Sequence, residues 1–113
     1  MYEIKKVSDN IVNISLTRGD YFAAYIDMQV EGESYVPLGG TCRFALKKIY
    51  KDPDENCLLV IDIPISTLLL EIQPEDTKPF KFGDYVFDIQ YTDPDGHPDT
   101  FIKGKFTLTE EVI

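Results

Sequence analysis

Residues 83–106 read GDYVFDIQYTDPDGHPDTFIKGKF, and this stretch decides the fold class. From residue 85 to residue 91 the odd positions carry Tyr, Phe, Ile and Tyr, which is the two-residue period of a half-buried strand. Residues 93–96 then supply a turn, because Asp93 can accept from the amides that follow, the proline fixes φ, and Gly96 tolerates a positive φ. A second β-rich run returns over 100–109. The stretch therefore predicts a β-hairpin.

The register of this hairpin follows from the parity of its side chains. We expect Phe87 opposite Ile102 and Tyr85 opposite Gly104, so that an aromatic ring covers a glycine that has no side chain to pack. A bulge at Gly96 is the alternative, and it would shift the register by one residue.

The rest of the chain repeats the pattern of β-rich runs between turn signals. The predicted strands are 2–7, 11–16, 21–31, 41–50, 57–63, 67–72, 84–92 and 100–109. The run at 57–63 is apolar on both faces, which favours a central position in a sheet. Residues 67–72 fit either a strand or a short helix capped by Ser66, and residues 74–77 fit one helical turn.

These patterns together predict an all-β fold. We expect a single domain over residues 1–113, built as an immunoglobulin-like antiparallel β-sandwich of about 7–8 strands with at most one short helical turn.

Composition limits the partners and the compartment. The 113 residues include 20 acidic and 11 basic side chains, a formal net charge of −9, which disfavours binding to nucleic acid or anionic membranes. The N-terminus contains no apolar stretch typical of a signal peptide, and no apolar run is long enough to cross a bilayer. Cys42 and Cys57 sit in apolar runs and are expected to be free thiols, as in a cytoplasm.

Two motifs suggest ligands but have simpler explanations. Residues 18–20 read Arg-Gly-Asp, the tripeptide that integrins recognise, yet a glycine between two charged residues also suits a tight connection between strands. Asp52, Asp54 and Asn56 are spaced as in the opening of an EF-hand loop, but apolar strand residues occupy the positions of its glycine and its last glutamate. We predict neither integrin nor calcium binding.

The loop after residue 92 carries Asp93, Asp95, His97 and Asp99, which are all metal-ligand types. Alternate residues of a turn rarely converge on one ion, and turn chemistry explains this composition, so we predict no metal. His97 is the only histidine, and no serine or cysteine has the surroundings of an activated nucleophile. We therefore predict no enzyme activity and no cofactor; a small hydrolase that uses His97 is the enzymatic alternative.

Five segments share an order and spacing with a known group of domains. They are LTRGD at 16–20, RFALK at 43–47, PEDT at 74–77, GDYVFDI at 83–89 and TFIKGKFTL at 100–108. With the Asp-Gly turn at 95–96, this layout resembles the immunoglobulin-like β-sandwich domains of phage and prophage tails and baseplates, similar to the N-terminal domain of the siphophage baseplate upper protein. The resemblance spans residues 14–110.

The resemblance implies a structural module that docks onto other phage tail or baseplate proteins, with a homo-oligomer as another form of assembly. It implies the cytoplasm of a bacterial host during assembly and the virion afterwards. Exposed strand edges and the aromatic side chains Tyr2, Tyr25 and Tyr35 are the candidate interface. A carbohydrate-binding or adhesion module is the alternative function.

Overall fold

The computed structural model describes residues 2–8, 10–30 and 32–110, with the side chain of Val30 left out. Strands form 56% of the chain and helix 7%, which confirms the mainly β fold. The strands in the described ranges are β1 (Tyr2–Ser8), β2 (Ile11–Thr17), β3 (Phe22–Tyr25), β4 (Gln29–Val30), β5 (Glu33–Ser34), β6 (Thr41–Lys47), β7 (Leu59–Ile63), β8 (Leu69–Ile72), β9 (Gly83–Thr92) and β10 (Pro98–Thr109). One helical turn, α1, spans Pro74–Thr77 as predicted, and a 3₁₀ turn that was not predicted spans Asp54–Asn56.

Six of these strands form one sheet in the order β1-β2-β10-β9-β6-β7. Its neighbours are antiparallel except β2 and β10, which run parallel. The expectation of purely antiparallel pairing is therefore wrong at one place. The β1–β2 and β9–β10 hairpins each fix their own strand directions, and the contact between them joins residues about 90 positions apart, which no local pattern specifies.

A second sheet contains only β3 and β8, and the two sheets share one hydrophobic core. Phe22, Leu70 and Ile72 from this pair pack with the inner face of the large sheet. The centre of the core is aromatic: Phe44 stacks on Phe87 at 5.4 Å between ring centroids. Burial of this apolar surface is the main stabilising contribution to the fold.

The register of the β9–β10 hairpin differs from the prediction by two residues. Gly104 lies opposite Phe87, whereas Tyr85 lies opposite Phe106. One residue of the shift arises at the turn, where Gly96 has a φ of 89°, as in the alternative register. The other arises from a bulge at Phe101, which interrupts the pairing between Thr100 and Ile102. Side-chain parity could not reveal this second insertion.

Gly104 is required by the neighbouring strand rather than by an aromatic ring above it. A Cβ at this position would lie 1.7 Å from the carbonyl oxygen of Val12. The β2–β10 ladder is interrupted at this point, and Asn13 Oδ1 accepts the N–H of Lys105 at 3.2 Å. The backbone of β2 thus passes so close to β10 that only glycine fits.

The predicted strand over 21–31 is broken into two pieces, and its last residue, Glu31, lies outside the described residues, as do Asp9 of the first turn, Met1 and 111–113. β3 ends at Tyr25, and the chain turns back into the β4–β5 hairpin. The carboxylate of Asp27 accepts from Gln29 Nε2 at 2.9 Å and from Ser34 Oγ at 3.0 Å. These two hydrogen bonds stabilise the turn at which the alternating pattern is interrupted. The break, together with the unpredicted strand β5, brings the number of strands in the described ranges to ten, above the predicted 7–8.

The position of β7 also corrects a prediction. β7 forms an edge of the large sheet, not its centre, and Val60 on its outer face is 51% exposed.

The segment at 67–72, for which a strand and a short helix were both possible, contains the strand β8. Cys42 pairs with Ile63 at the far end of the β6–β7 hairpin from Cys57, and both thiols are free.

We expect Gly104→Ala to lower the free energy of unfolding by about 3 kcal/mol or more, because the added methyl meets backbone that cannot rotate away. Gly39→Ala is the matched control, since its Cβ would meet only the Pro94 side chain at 3.3 Å. Urea unfolding of both variants checks this, and equal stability of Gly104→Ala and the parent would contradict the close approach.

Candidate functional site

The large sheet and the β3–β8 pair leave an open apolar groove between β1 and β3, with a volume of about 440 Å³. We name it the β1–β3 groove. Its floor consists of side chains from β2, β9 and β10: Val12, Ile14, Phe87, Ile89, Phe101 and Ile102. One wall consists of the β3 and β8 side chains Phe22, Ala24 and Leu70, with Ile26 beyond them. A volume of this size lies in the range of ligand sites.

The rim of the groove is more polar than its floor. Lys6 and Ile4 of β1 line one side, while Tyr25 and Asp27 line the other. An apolar floor with a few polar groups at the rim is typical of a surface that recognises apolar side chains and orients them with polar contacts.

The three predicted interface tyrosines occupy different places. Tyr25 lines the groove and is 76% exposed. Tyr2 packs on Phe22 with 4.6 Å between ring centroids, and its hydroxyl donates to the carbonyl of Ala23 at 2.9 Å. Tyr35 is exposed but is not part of the groove lining. Only Tyr25 of the three therefore lines the groove, while Tyr2 packs against Phe22 of its wall.

Exposed apolar side chains at the opposite edge of the large sheet were not predicted from the sequence. Leu58 and Val60 of the β7 segment are both exposed. The apolar character of β7 on both faces was the available signal, but it was assigned to burial in the centre of a sheet.

Residues 18–20 are held against the segment after α1 and are not displayed as a free loop. The guanidinium of Arg18 donates to the carbonyl of Phe80 at 3.3 Å and lies 4.6 Å from the ring centroid of Phe82. Gly19 donates its N–H to Thr77 Oγ1 at 2.9 Å, and Thr77 is fully buried. Contacts with α1 and with the segment that follows it therefore hold the tripeptide in place.

We expect Thr77→Val to destabilise the protein by about 1–3 kcal/mol, because it leaves the Gly19 N–H without its acceptor. Thr77→Ser keeps the hydroxyl and serves as the control. Hydrogen exchange should show a fast Gly19 amide in Thr77→Val and a protected one in Thr77→Ser. Equal protection in both variants would show that the hydroxyl has no role in the loop.

The acidic loop is organised by its own hydrogen bonds. Asp93 Oδ1 accepts the backbone N–H of Asp95 at 3.0 Å and that of His97 at 2.9 Å. The hydrogen bond from the His97 backbone is the main cause that holds the pKa of Asp93 below its ordinary value. Ligand-type atoms of Asp93, Asp95 and His97 lie within 4.8 Å of one another, a group from which Asp99 is absent. These contacts describe an Asx-type turn.

The buried thiol of Cys42 is not an activated nucleophile. Burial raises its pKa to about 11, so the thiolate is scarce at neutral pH.

Asp88 lies on the outer face of the large sheet, where one carboxylate oxygen, Oδ1, is buried and has no hydrogen-bond partner among the described residues. Burial raises the pKa of Asp88, and the charges of Arg43 and Lys47 oppose this shift. A raised pKa in the folded state means that ionisation of Asp88 opposes folding as the pH rises above the ordinary range of aspartate.

Accordingly, Asp88→Asn should increase stability near neutral pH, because the variant carries no charge to bury. The gain should vanish as the pH falls below about 3.9, where the wild-type carboxyl is protonated in the unfolded chain as well. Thermal unfolding measured from about pH 3 to about pH 8, a range that brackets the ordinary pKa of aspartate, tests this. A variant that is less stable at pH 7 would contradict it.

No helix in the described part of the chain is long and apolar enough to span a membrane. The chain matches no protein-family model, and no curated protein is significantly similar to it.

Proposed function

We propose that this chain is an immunoglobulin-like β-sandwich domain that serves as a non-enzymatic assembly module of a phage or prophage tail or baseplate. The β1–β3 groove is the observation that carries the proposal, because an open apolar groove with an exposed tyrosine and polar groups at its rim suits the docking of a protein partner. The partners are other tail or baseplate proteins, and assembly takes place in the host cytoplasm before the module enters the virion.

The resemblance in segment order supports the phage assignment. Three of its segments now have structural roles: 18–20 form a closed connection, 74–77 form α1, and 95–96 lie in the β9–β10 turn. The exposed edges β1 and β7 offer further backbone for contacts within an assembly.

The function is tested by expressing the tagged chain in its induced host and isolating intact particles. We expect the chain in purified virions or tails, together with co-purified proteins that mass spectrometry identifies as products of neighbouring tail genes. Light scattering on the isolated chain measures self-assembly separately. A strictly monomeric protein that is absent from particles and retains no tail protein would overturn the proposal.

A further inference from the structure

The outer edge of β3 has backbone groups directed away from β8. The Ile26 N–H donates to Leu68 O at 2.8 Å, in register with the β3–β8 ladder. Hydrogen-bonded pairs alternate along an antiparallel ladder, so Ala23 and Tyr25 direct their amides and carbonyls away from β8. The hydrogen bond from the Tyr2 hydroxyl to the Ala23 carbonyl agrees with this direction and places the edge beside β1. The described part of the chain offers no strand to it.

The groove lies where a third strand of the small sheet would lie. Its floor includes the inner face of β2 and β10, where Val12, Phe101 and Ile102 are only partly buried, and one wall is the edge of β3 that faces away from β8. A strand placed there would pair with β3 and turn every second side chain towards Val12, Ile14 and Ile102.

We propose that the β1–β3 groove accepts an extended segment of a different polypeptide, which adds to the edge of β3 as a third strand. This inference rests on the proposed docking function and names its surface and the chemistry of the partner. The segment carries apolar, β-branched residues at alternate positions. It is not a second copy of this chain, because a net charge of −9 on each copy opposes self-association.

Charged side chains on the rim of the groove also limit which charged residues the bound segment can carry. Lys6 lines the β1 side of the groove and Asp27 the opposite side, so a segment with no basic residue towards Lys6 and no acidic residue towards Asp27 fits the rim charges. Docking also releases the Tyr2 hydroxyl from the Ala23 carbonyl, which then accepts from a backbone amide of the incoming strand.

The first test uses a synthetic probe, the capped peptide Glu-Thr-Val-Thr-Ile-Thr-Val-Thr-Glu, titrated into the isotopically labelled full chain and followed by NMR. We expect saturable shifts at groove residues. Methylation of the two backbone nitrogens that face β3 should weaken binding about tenfold, since two hydrogen bonds are lost. Equal binding of the methylated peptide, or no binding of the parent peptide, would overturn strand addition. Binding of dodecanoate in the groove without peptide binding would assign the site to small amphipathic molecules instead.

The second test changes the edge of β3. Tyr25→Pro removes an outward N–H and keeps the pairing with β8, because proline is tolerated at such edge positions. Tyr25→Val loses the same ring but keeps the amide, so it is the matched control. We expect peptide affinity to fall about fivefold or more in Tyr25→Pro relative to Tyr25→Val. If Tyr25→Pro does not fold, the methylated peptide on the wild-type chain decides the question.

The same variants separate this inference from the proposed function. Loss of tail-protein capture in Tyr25→Pro, with capture retained in Val60→Ser at the opposite edge, supports docking in the groove. Capture that persists in Tyr25→Pro and is lost in Val60→Ser would overturn strand addition while the assembly function stands. If the wild-type chain captures no tail protein, the proposed assembly function is wrong. The peptide titration alone then decides whether the groove binds an extended segment.

Discussion

The large sheet has six strands and the sheet that covers it has two, and this mismatch determines both the core and the open surface. Where β3 and β8 lie over the large sheet, Phe22 and Leu70 are nearly inaccessible to solvent and the core is continuous. Beyond the edge of β3, side chains on the inner face of β2 and β10 line the β1–β3 groove. On the groove floor Ile14, Phe87 and Ile89 are buried, whereas Val12, Phe101 and Ile102 are only partly buried, so a partner could bury further apolar surface there.

The local features of the fold could be predicted, and the non-local ones could not. The turn at Gly96 and the helical turn of α1 follow from residue chemistry at fixed offsets, and both lie where expected. The bulge at Phe101 has no such signature, because a strand with one extra residue still alternates on either side of it. The parallel contact between β2 and β10 is equally hidden, since each strand was assigned through its own hairpin.

For the candidate site, too, sequence predicted a single exposed residue but not the contacts between distant strands. Tyr25 was identified because an exposed aromatic residue suits an interface, and it lines the groove. The floor of the groove combines β2, β9 and β10, which only the pairing of distant strands brings together. The apolar pattern of β7 was misassigned because two apolar faces indicate either a central strand or an exposed apolar edge, and sequence alone does not distinguish these cases.

Charge and apolar surface have different roles in this molecule. A net charge of −9 on each copy opposes indiscriminate association through exposed apolar side chains. The β1–β3 groove requires more of a partner than apolar character, because its wall is a strand edge whose amides must be paired. A partner must therefore match a hydrogen-bond register as well as a shape.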